Sequence, residues 1–420
     1  MAASPLGCSG LIGDNSHPIL QVASMLRRLP SSVRRYSTAN PIPATFLRGG
    51  TSKGIFLKKS DLPEDRAQWD RIFLGIMGSP DKQHGRQLNG MGGGISSLSK
   101  ICVVGPPDDS RKAVVDAEYT FVQVGIRDSS IDYSGNCGNL SSMIGVFALD
   151  EGICTNPIVL EGAEATIRMF NTNTNKHINT TFPVSTEGGL PRPLLDIGQT
   201  TIAGVSGTAS RIILDFVSPG GARTGKLLPT GNSTDPVHIT FNGQTSTVSA
   251  SLVDATNPTV FVTSSDLRRI LDLSLKTLLD FESPGVLAAL EAIRQQGARM
   301  MSLDPSAQAQ PKIAILSPPP ATHPDVDIFV HALSMGVLHK AVPMTVGLCL
   351  GVASHIERSL AWELVRTSRM ERAASLGELI RIEHPSGVVD VGAEFGGDGE
   401  VRSAKVVRTG RRLMKGVVWW

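Results

Sequence analysis

Aromatic residues make up only 5% of this 420-residue chain, leaving little surface on which the bases of single-stranded nucleic acid could stack. Neither sign of charge dominates. With 40 Lys and Arg against 38 Asp and Glu, no global field recruits nucleic acid or an anionic membrane, and any anion site must be local. No apolar run reaches the roughly 18 residues of a membrane-spanning helix. Cysteine is sparse and odd in number: Cys8, Cys102, Cys137, Cys154 and Cys349 lack metal-ligand spacing. That pattern suggests a reducing compartment rather than a disulfide framework.

What remains is a globular composition, 41% hydrophobic and 19% charged, with 43 Gly and 26 Pro supplying many turns. The length exceeds what one hydrophobic core usually supports, so two domains are expected. Residues 1–40 read differently. Arg27, Arg28, Arg34 and Arg35 lie among serines, Asp14 is the only acid, and a short amphipathic stretch runs from about Ile19 to Leu29. This composition resembles a mitochondrial transit peptide, with Arg34-Arg-Tyr-Ser like a processing site; the alternative is a basic tail on a cytoplasmic protein.

From Ala44 onward, short apolar runs broken by Gly, Pro, Asn and Asp predict many strands joined by tight turns. Ala44 to Leu47, Gly54 to Leu57, Lys100 to Val104, Ala117 to Val124, Arg211 to Val217, Val237 to Phe241 and Thr259 to Val262 are the clearest. Helices are expected over Pro63 to Met77, Leu140 to Asp150, Ser264 to Leu271, Ser283 to Met301, Thr345 to Ser354 and Ser359 to Val365. The runs beginning at Cys137 and at His339 both pass from a polar turn into an apolar, small-residue helix, as if two lobes each wrapped strands around a central helix. The Gly204, Ser206, Gly207 and Thr208 cluster marks the expected boundary, giving a first lobe of 41–203 and 396–420 and a second of 204–395.

The segment Asp132-Tyr-Ser-Gly-Asn-Cys-Gly-Asn is the most informative. Its small and polar residues around Cys137, just before an apolar helix, permit a turn that aims backbone amides and a thiol at one point. Ser134, Gly135, Asn136, Gly138 and Asn139 are therefore candidate binding residues. Asn89-Gly-Met-Gly-Gly-Gly-Ile-Ser-Ser-Leu-Ser-Lys leads into an apolar strand; its glycines would let backbone approach a ligand, with Ser96, Ser97 and Ser99 as hydroxyl donors. Lys100, at the mouth of that strand, is a general-base candidate. Arg48-Gly-Gly-Thr-Ser-Lys-Gly lacks the spacer of a phosphate loop and precedes a strand, so Arg48, Thr51, Ser52 and Lys53 read as a hairpin offering cations to carboxylates. His339, Lys340 and Thr345 start the second small-residue helix, and Asn257 ends a run before a strand; both could reach the same cleft. Each has a plainer reading as a helix cap, solvated charge, hairpin tip or turn.

Together with Asn257-Pro-Thr-Val-Phe-Val and Arg408-Thr-Gly-Arg-Arg-Leu-Met, these segments resemble the PrpF family over nearly everything after residue 41. The resemblance implies an α+β fold of the diaminopimelate epimerase kind, two similar lobes with strands around a central helix. It also implies a cofactor-independent isomerase, with no metal, flavin, nicotinamide or pyridoxal phosphate. The family's activities include 2-methylaconitate and 3-methylitaconate isomerases, aconitate delta-isomerase and 4-oxalomesaconate tautomerase. Its lysine and cysteine map onto Lys100 and Cys137 as the groups that move an allylic proton in a polycarboxylic acid. Epimerases of this architecture use a cysteine from each lobe, whereas Cys349 falls inside the predicted second helix. A two-thiol racemase and a catalytically silent acid-binding protein are the competing readings. The partner expected is a small polycarboxylate, with neither nucleic acid nor membrane, and a homodimer is left open.

Overall fold

Strands carry most of the chain, as its turn-rich sequence implies. The computed structural model describes residues 40–420 except 156, 161–162, 187–190, 242, 275–276 and 373–376. The expected targeting segment, with Arg27, Arg28, Arg34 and Arg35, lies outside the described residues apart from its last position.

A first run contains β1 (Ile42–Gly49), β2 (Ser52–Lys58), β3 (Lys100–Gly105), β4 (Ala117–Val124), β5 (Glu164–Asn171), β6 (Lys176–Ser185) and β7 (Ile212–Val217). A second contains β8 (Asp235–Phe241), β9 (Gln244–Ala255), β10 (Asn257–Thr263), β11 (Lys312–Ser317), β12 (Ile328–Ser334), β13 (Leu379–His384), β14 (Gly387–Phe395) and β15 (Val401–Arg408). The chain then returns to the first run through β16 (Gly410–Val418), which pairs with β1.

Taken in the order β16, β1, β2, β3, β4, β5, β6, β7, successive pairings are antiparallel, antiparallel, parallel, antiparallel, parallel, antiparallel, antiparallel. From β8 to β15 the same series of orientations recurs step for step. Antiparallel pairing of β7 with β15 joins the two runs. Each parallel pair needs a crossover. In the first run these are α1 (Trp69–Met77), between β2 and β3, and α2 (Gly138–Ser141) with α3 (Ile144–Asp150), between β4 and β5. In the second, α4 (Ser264–Ile270) and α5 (Pro284–Met300) link β10 to β11, while α6 (Met344–Ala353) and α7 (Leu360–Glu371) link β12 to β13. The expected architecture, two similar strand-rich halves around central helices, is thus the observed one.

The two small-residue helices of the sequence are the equivalent elements α3 and α6. Every residue of α6 from Val346 to Ala353 is buried, so no face needs polar residues. Their glycines mark the closest approaches to the sheet: a β-carbon on Gly145 would collide with Thr180 and Ile167, and one on Gly351 would stand 2.8 Å from the Gly392 nitrogen. The helix expected over Leu140 to Asp150 is broken after Ser141. Ser142 Oγ donates to the Asn139 carbonyl at 2.7 Å, the local back-bonding that weakens a helix. The glycine cluster expected at a boundary forms a hairpin instead, Thr200–Ile202 against Val205–Ala209, in a sheet of its own.

One core packs Leu47, Phe56 and Phe147 with Leu348 and Leu350, so the central helices of both halves share it. The opposite sheet faces are covered by α1 in the first half and α5 in the second. Among the described residues no helix is long and apolar enough to cross a membrane.

Candidate active site

Side chains alternate between faces along a strand, and β2 shows which face matters. A β-carbon on Gly54 would meet Leu140 of α2 at 2.7 Å and the Lys100 carbonyl at 3.0 Å, so this face looks toward the central helix. Ser52, two residues away, is buried with its Oγ 3.8 Å from the Cys137 Sγ. Cys137 caps α2 in an extended conformation and remains half-buried. Lys100 opens β3, only 7% exposed. Its neighbour but one, Cys102, packs in the same core as Leu140, which puts Lys100 on the Cys137 side of the sheet. Burial pushes the Cys102 thiol well up, with Cys137 adding to the shift and Lys100 opposing it. Lys100 and Cys137 are thus both close enough to act electrostatically on one buried thiol.

Lys100 is held from β4. Its Nζ donates to Gln123 Oε1 and lies 5.0 Å from the centre of the Phe121 ring. Gln123 in turn donates from Nε2 to the carbonyls of Ser99, at 2.9 Å, and Ser96, at 3.2 Å. The Cys137 loop is held from the same strand. Tyr119 OH and Ser141 Oγ are 2.8 Å apart, both lie within 3.2 Å of Asn136 Oδ1, and Ser141 Oγ also donates to the Cys137 carbonyl at 3.1 Å.

Arg408, the last residue of β15, adds a cation. Its Nε donates to Asn139 Oδ1 at 3.2 Å, and Nη1 donates to the Val407 carbonyl. Burial pulls the guanidinium down to about 10, with Cys137 opposing the shift, so it stays charged at neutral pH. Arg408 lines a cavity of about 180 Å³ with Thr51, Asn139, Ala203, Met344 and His384. Met344 begins α6, and its sulfur fills the place a β-carbon on Gly138 would take, so the starts of α2 and α6 meet beside Cys137. Among the described residues no three His, Cys, Asp or Glu cluster as metal ligands.

The sequence profile of the family described as PrpF protein matches residues 39–420. The chain belongs to the PrpF family. The 3-methylitaconate isomerase of Eubacterium barkeri is 35% identical to it over 404 residues, covering 90% of this chain and 97% of that protein. The 2-methyl-aconitate isomerase of Shewanella oneidensis is 33% identical over 403 residues, covering 90% and 96%. A crystal structure of methylitaconate-delta-isomerase superposes with a TM-score of 0.76 at 32% identity, covering 91% of this chain and 96% of the other.

Within this family member, the expected binding residues divide. Thr51, Ser52, Asn136, Gly138 and Asn139 gather around Cys137, and Thr51 accepts from Asn139 Nδ2 at 3.0 Å. Ser134 is exposed, its backbone N–H tied to Asp132, and a β-carbon on Gly135 would enter open space. Ser97 lies half-buried in the turn that Gln123 clamps. Arg48 and Lys53 are cross-strand partners on the face of the hairpin away from Cys137. Arg48 Nη1 is engaged by the carbonyls of Gly50 and Thr409, and Lys53 lies over Phe46. The hairpin sequence could not reveal this, because the covered face is set by α2. Asn257 turns its amide to Gln310 and the Pro258 carbonyl. His339 and Lys340 are exposed and absent from the cavity wall, whereas Thr345 is tied to Thr256 through its carbonyl.

The triple glycine has a packing reason: β-carbons on Gly92 and Gly93 would run into Gln87 and Leu98 rather than a ligand. Cys349 is fully buried, with Sγ 3.5 Å from the Val253 carbonyl and its thiol pushed up to about 12 by burial. It is no counterpart to Cys137, which removes the geometry a two-thiol racemase needs. Sequence reasoning missed Gln123, signalled by a polar residue set between the valines that end β4, and Arg408, present in the family-like segment but given no role.

Proposed function

We propose that the chain is an isomerase of polycarboxylic acids that moves an allylic proton between Lys100 and Cys137 without a cofactor. Names and lengths of its relatives support the reaction class. The observation that carries the residue assignment is that Cys137, at the start of α2, lies over the face of the sheet to which Lys100, Ser52 and Gly54 belong.

The reaction begins with loss of a proton from a methylene flanked by a carboxylate and a C=C bond. The electron pair left behind delocalises into a dienolate, and a proton returned to the far end of the allyl unit moves the double bond. In one direction Lys100 takes the proton and Cys137 returns one; in the other their roles exchange. Gln123 holds the lysine, and the Tyr119, Asn136 and Ser141 network holds the cysteine loop, so neither group reorganises during transfer. The division of the chain into lobes 41–203 with 396–420, and 204–395, belongs to the same proposal; the repeated strand order supports two halves but puts β7 with the first and β15 with the second.

Proton NMR in deuterium oxide tests the activity with aconitate, 2-methylaconitate and 3-methylitaconate. Double-bond migration or cis-trans change in at least one acid, with deuterium entering the allylic carbon, is expected. Binding without isomer change or exchange in any of them would make the chain a silent acid-binding protein.

We also propose that residues 1–40 direct the protein to mitochondria, on the basis of their arginine- and serine-rich, acid-poor composition. Deleting residues 1–38 from a tagged protein should abolish mitochondrial localisation and leave turnover unchanged. Unaltered localisation would contradict this.

A further inference from the structure

Arg408 is a half-buried cation with no acidic partner among the described residues. Taking such a charge out of water is unfavourable unless an opposite charge meets it, and its two hydrogen bonds to neutral oxygens use only part of a five-donor guanidinium. The unmet charge borders the cavity between the halves. At about 180 Å³, this cavity has the volume of roughly six liquid waters, room for an acid group and its neighbouring carbons.

The remaining walls suit an anion. Thr51 Oγ1 accepts from Asn139, which leaves its own hydroxyl proton to donate. His384 is buried, and burial together with the nearby Arg408 holds its imidazole below the usual value; its Nδ1 accepts from the Ser386 N–H, which leaves Nε2 as a donor. Among the described residues no carboxylate side chain lines the cavity. Met344 brings the start of the ten-residue helix α6 to it, whose dipole is positive at that end. The hairpin tip at Ala203 covers one side: a β-carbon on its neighbour Gly204 would touch Thr51 of the first half, and one on Gly387, at the start of β14 in the second half, would touch Ala203.

We propose that this cavity is a carboxylate subsite built jointly by the two halves, in which Arg408 holds an acid group of the substrate away from the reacting carbons. The inference rests on the isomerase reading for the identity of its ligand, but not for its test. Cys137 adjoins the cavity through Gly138 and Met344, so its alkylation reports occupancy without turnover. The purified full chain is treated with iodoacetamide, alkylation at Cys137 is followed by mass spectrometry, and tricarballylate, a saturated tricarboxylate, is added as protectant.

Protection is expected in the wild type, and in Arg408→Met the half-protecting concentration should rise at least about tenfold, the loss of one hydrogen-bonded charge. The rate of Cys137 alkylation by iodoacetate, itself a carboxylate, should fall relative to that by iodoacetamide in the same variant. Should Arg408→Met fail to fold, Arg408→Lys decides: it keeps the charge but not the planar fork, and protection should weaken about threefold or more. Unchanged protection in whichever variant folds overturns the subsite. Absence of isomerisation with protection still dependent on Arg408 would instead overturn the activity and leave the subsite standing.

Discussion

Arg408 Nε donates to Asn139 Oδ1 at 3.2 Å, tying the last residue of β15 to the helix turn that begins at Cys137. The same Asn139 donates to Thr51, so one amide orients both a cation and a hydroxyl of the cavity. Asn139→Ala should therefore raise KM about tenfold, near the value of a hydrogen bond to a charged group, with a smaller fall in kcat. Steady-state kinetics on the acid turned over fastest checks this; a large loss in kcat at unchanged KM would place Asn139 in the proton transfer itself.

Gln123 is the only side chain that hydrogen-bonds Lys100 among the described residues. Gln123→Leu keeps the bulk and removes the acceptor, so the lysine can swing from its place. A fall in kcat of about tenfold or more, with KM little changed, is expected from misplacement of a general acid-base group. Near-normal kcat in Gln123→Leu would show that Lys100 keeps its place without this hydrogen bond.

Two glycines of α6 make a paired prediction about stability. A β-carbon at Gly351 would stand 2.8 Å from the Gly392 backbone, whereas one at Gly347 would find its nearest neighbour at 3.7 Å. Gly351→Ala should cost about 1–3 kcal/mol by overpacking. Gly347→Ala should be neutral or stabilise by up to about 1 kcal/mol through helix propensity. Urea unfolding of both variants measures the difference, and equal effects would contradict the close approach of α6 to β14.

Those glycines also show why the fold was partly legible. Val103, Val104 and the apolar stretch of α6 are buried on all sides, so hydrophobicity alone announced them. β6 escaped notice because Thr180, though fully buried, is polar and faces Gly145. β16 escaped because it pairs on one edge and leaves Arg411, Arg412 and Lys415 exposed. At the site, Lys100 and the Cys137 turn were legible from residue type and neighbours. Arg48 and Lys53 were not separable from Thr51 and Ser52, since the face of the hairpin is decided by a helix some ninety residues on. Arg408 looked like any cation at a strand end until the second half of the chain brought it to Asn139.

His331 predicts a pH dependence of stability. It is packed against Phe281 and Phe329, at ring-centre distances of 4.2 and 4.8 Å, and burial holds its imidazole down to about 4 against an ordinary 6.5. Between these values the unfolded chain binds the extra proton, so this contribution is complete above 6.5 and is lost as pH falls toward 4. His331→Phe should flatten the decline in urea midpoint across that interval. An unchanged slope would show that His331 is already protonated in the fold.

Whether Lys100 and Cys137 carry the proton is decided by solvent-deuterium incorporation into substrate by the wild type, Lys100→Ala and Cys137→Ser. Lys100→Ala should lose at least about a hundredfold in exchange and turnover, the low end of a general-base contribution. Cys137→Ser, which keeps a weaker donor of similar size, should retain partial activity. Near-normal exchange in Lys100→Ala, with the variant folded, would remove lysine from the proton path.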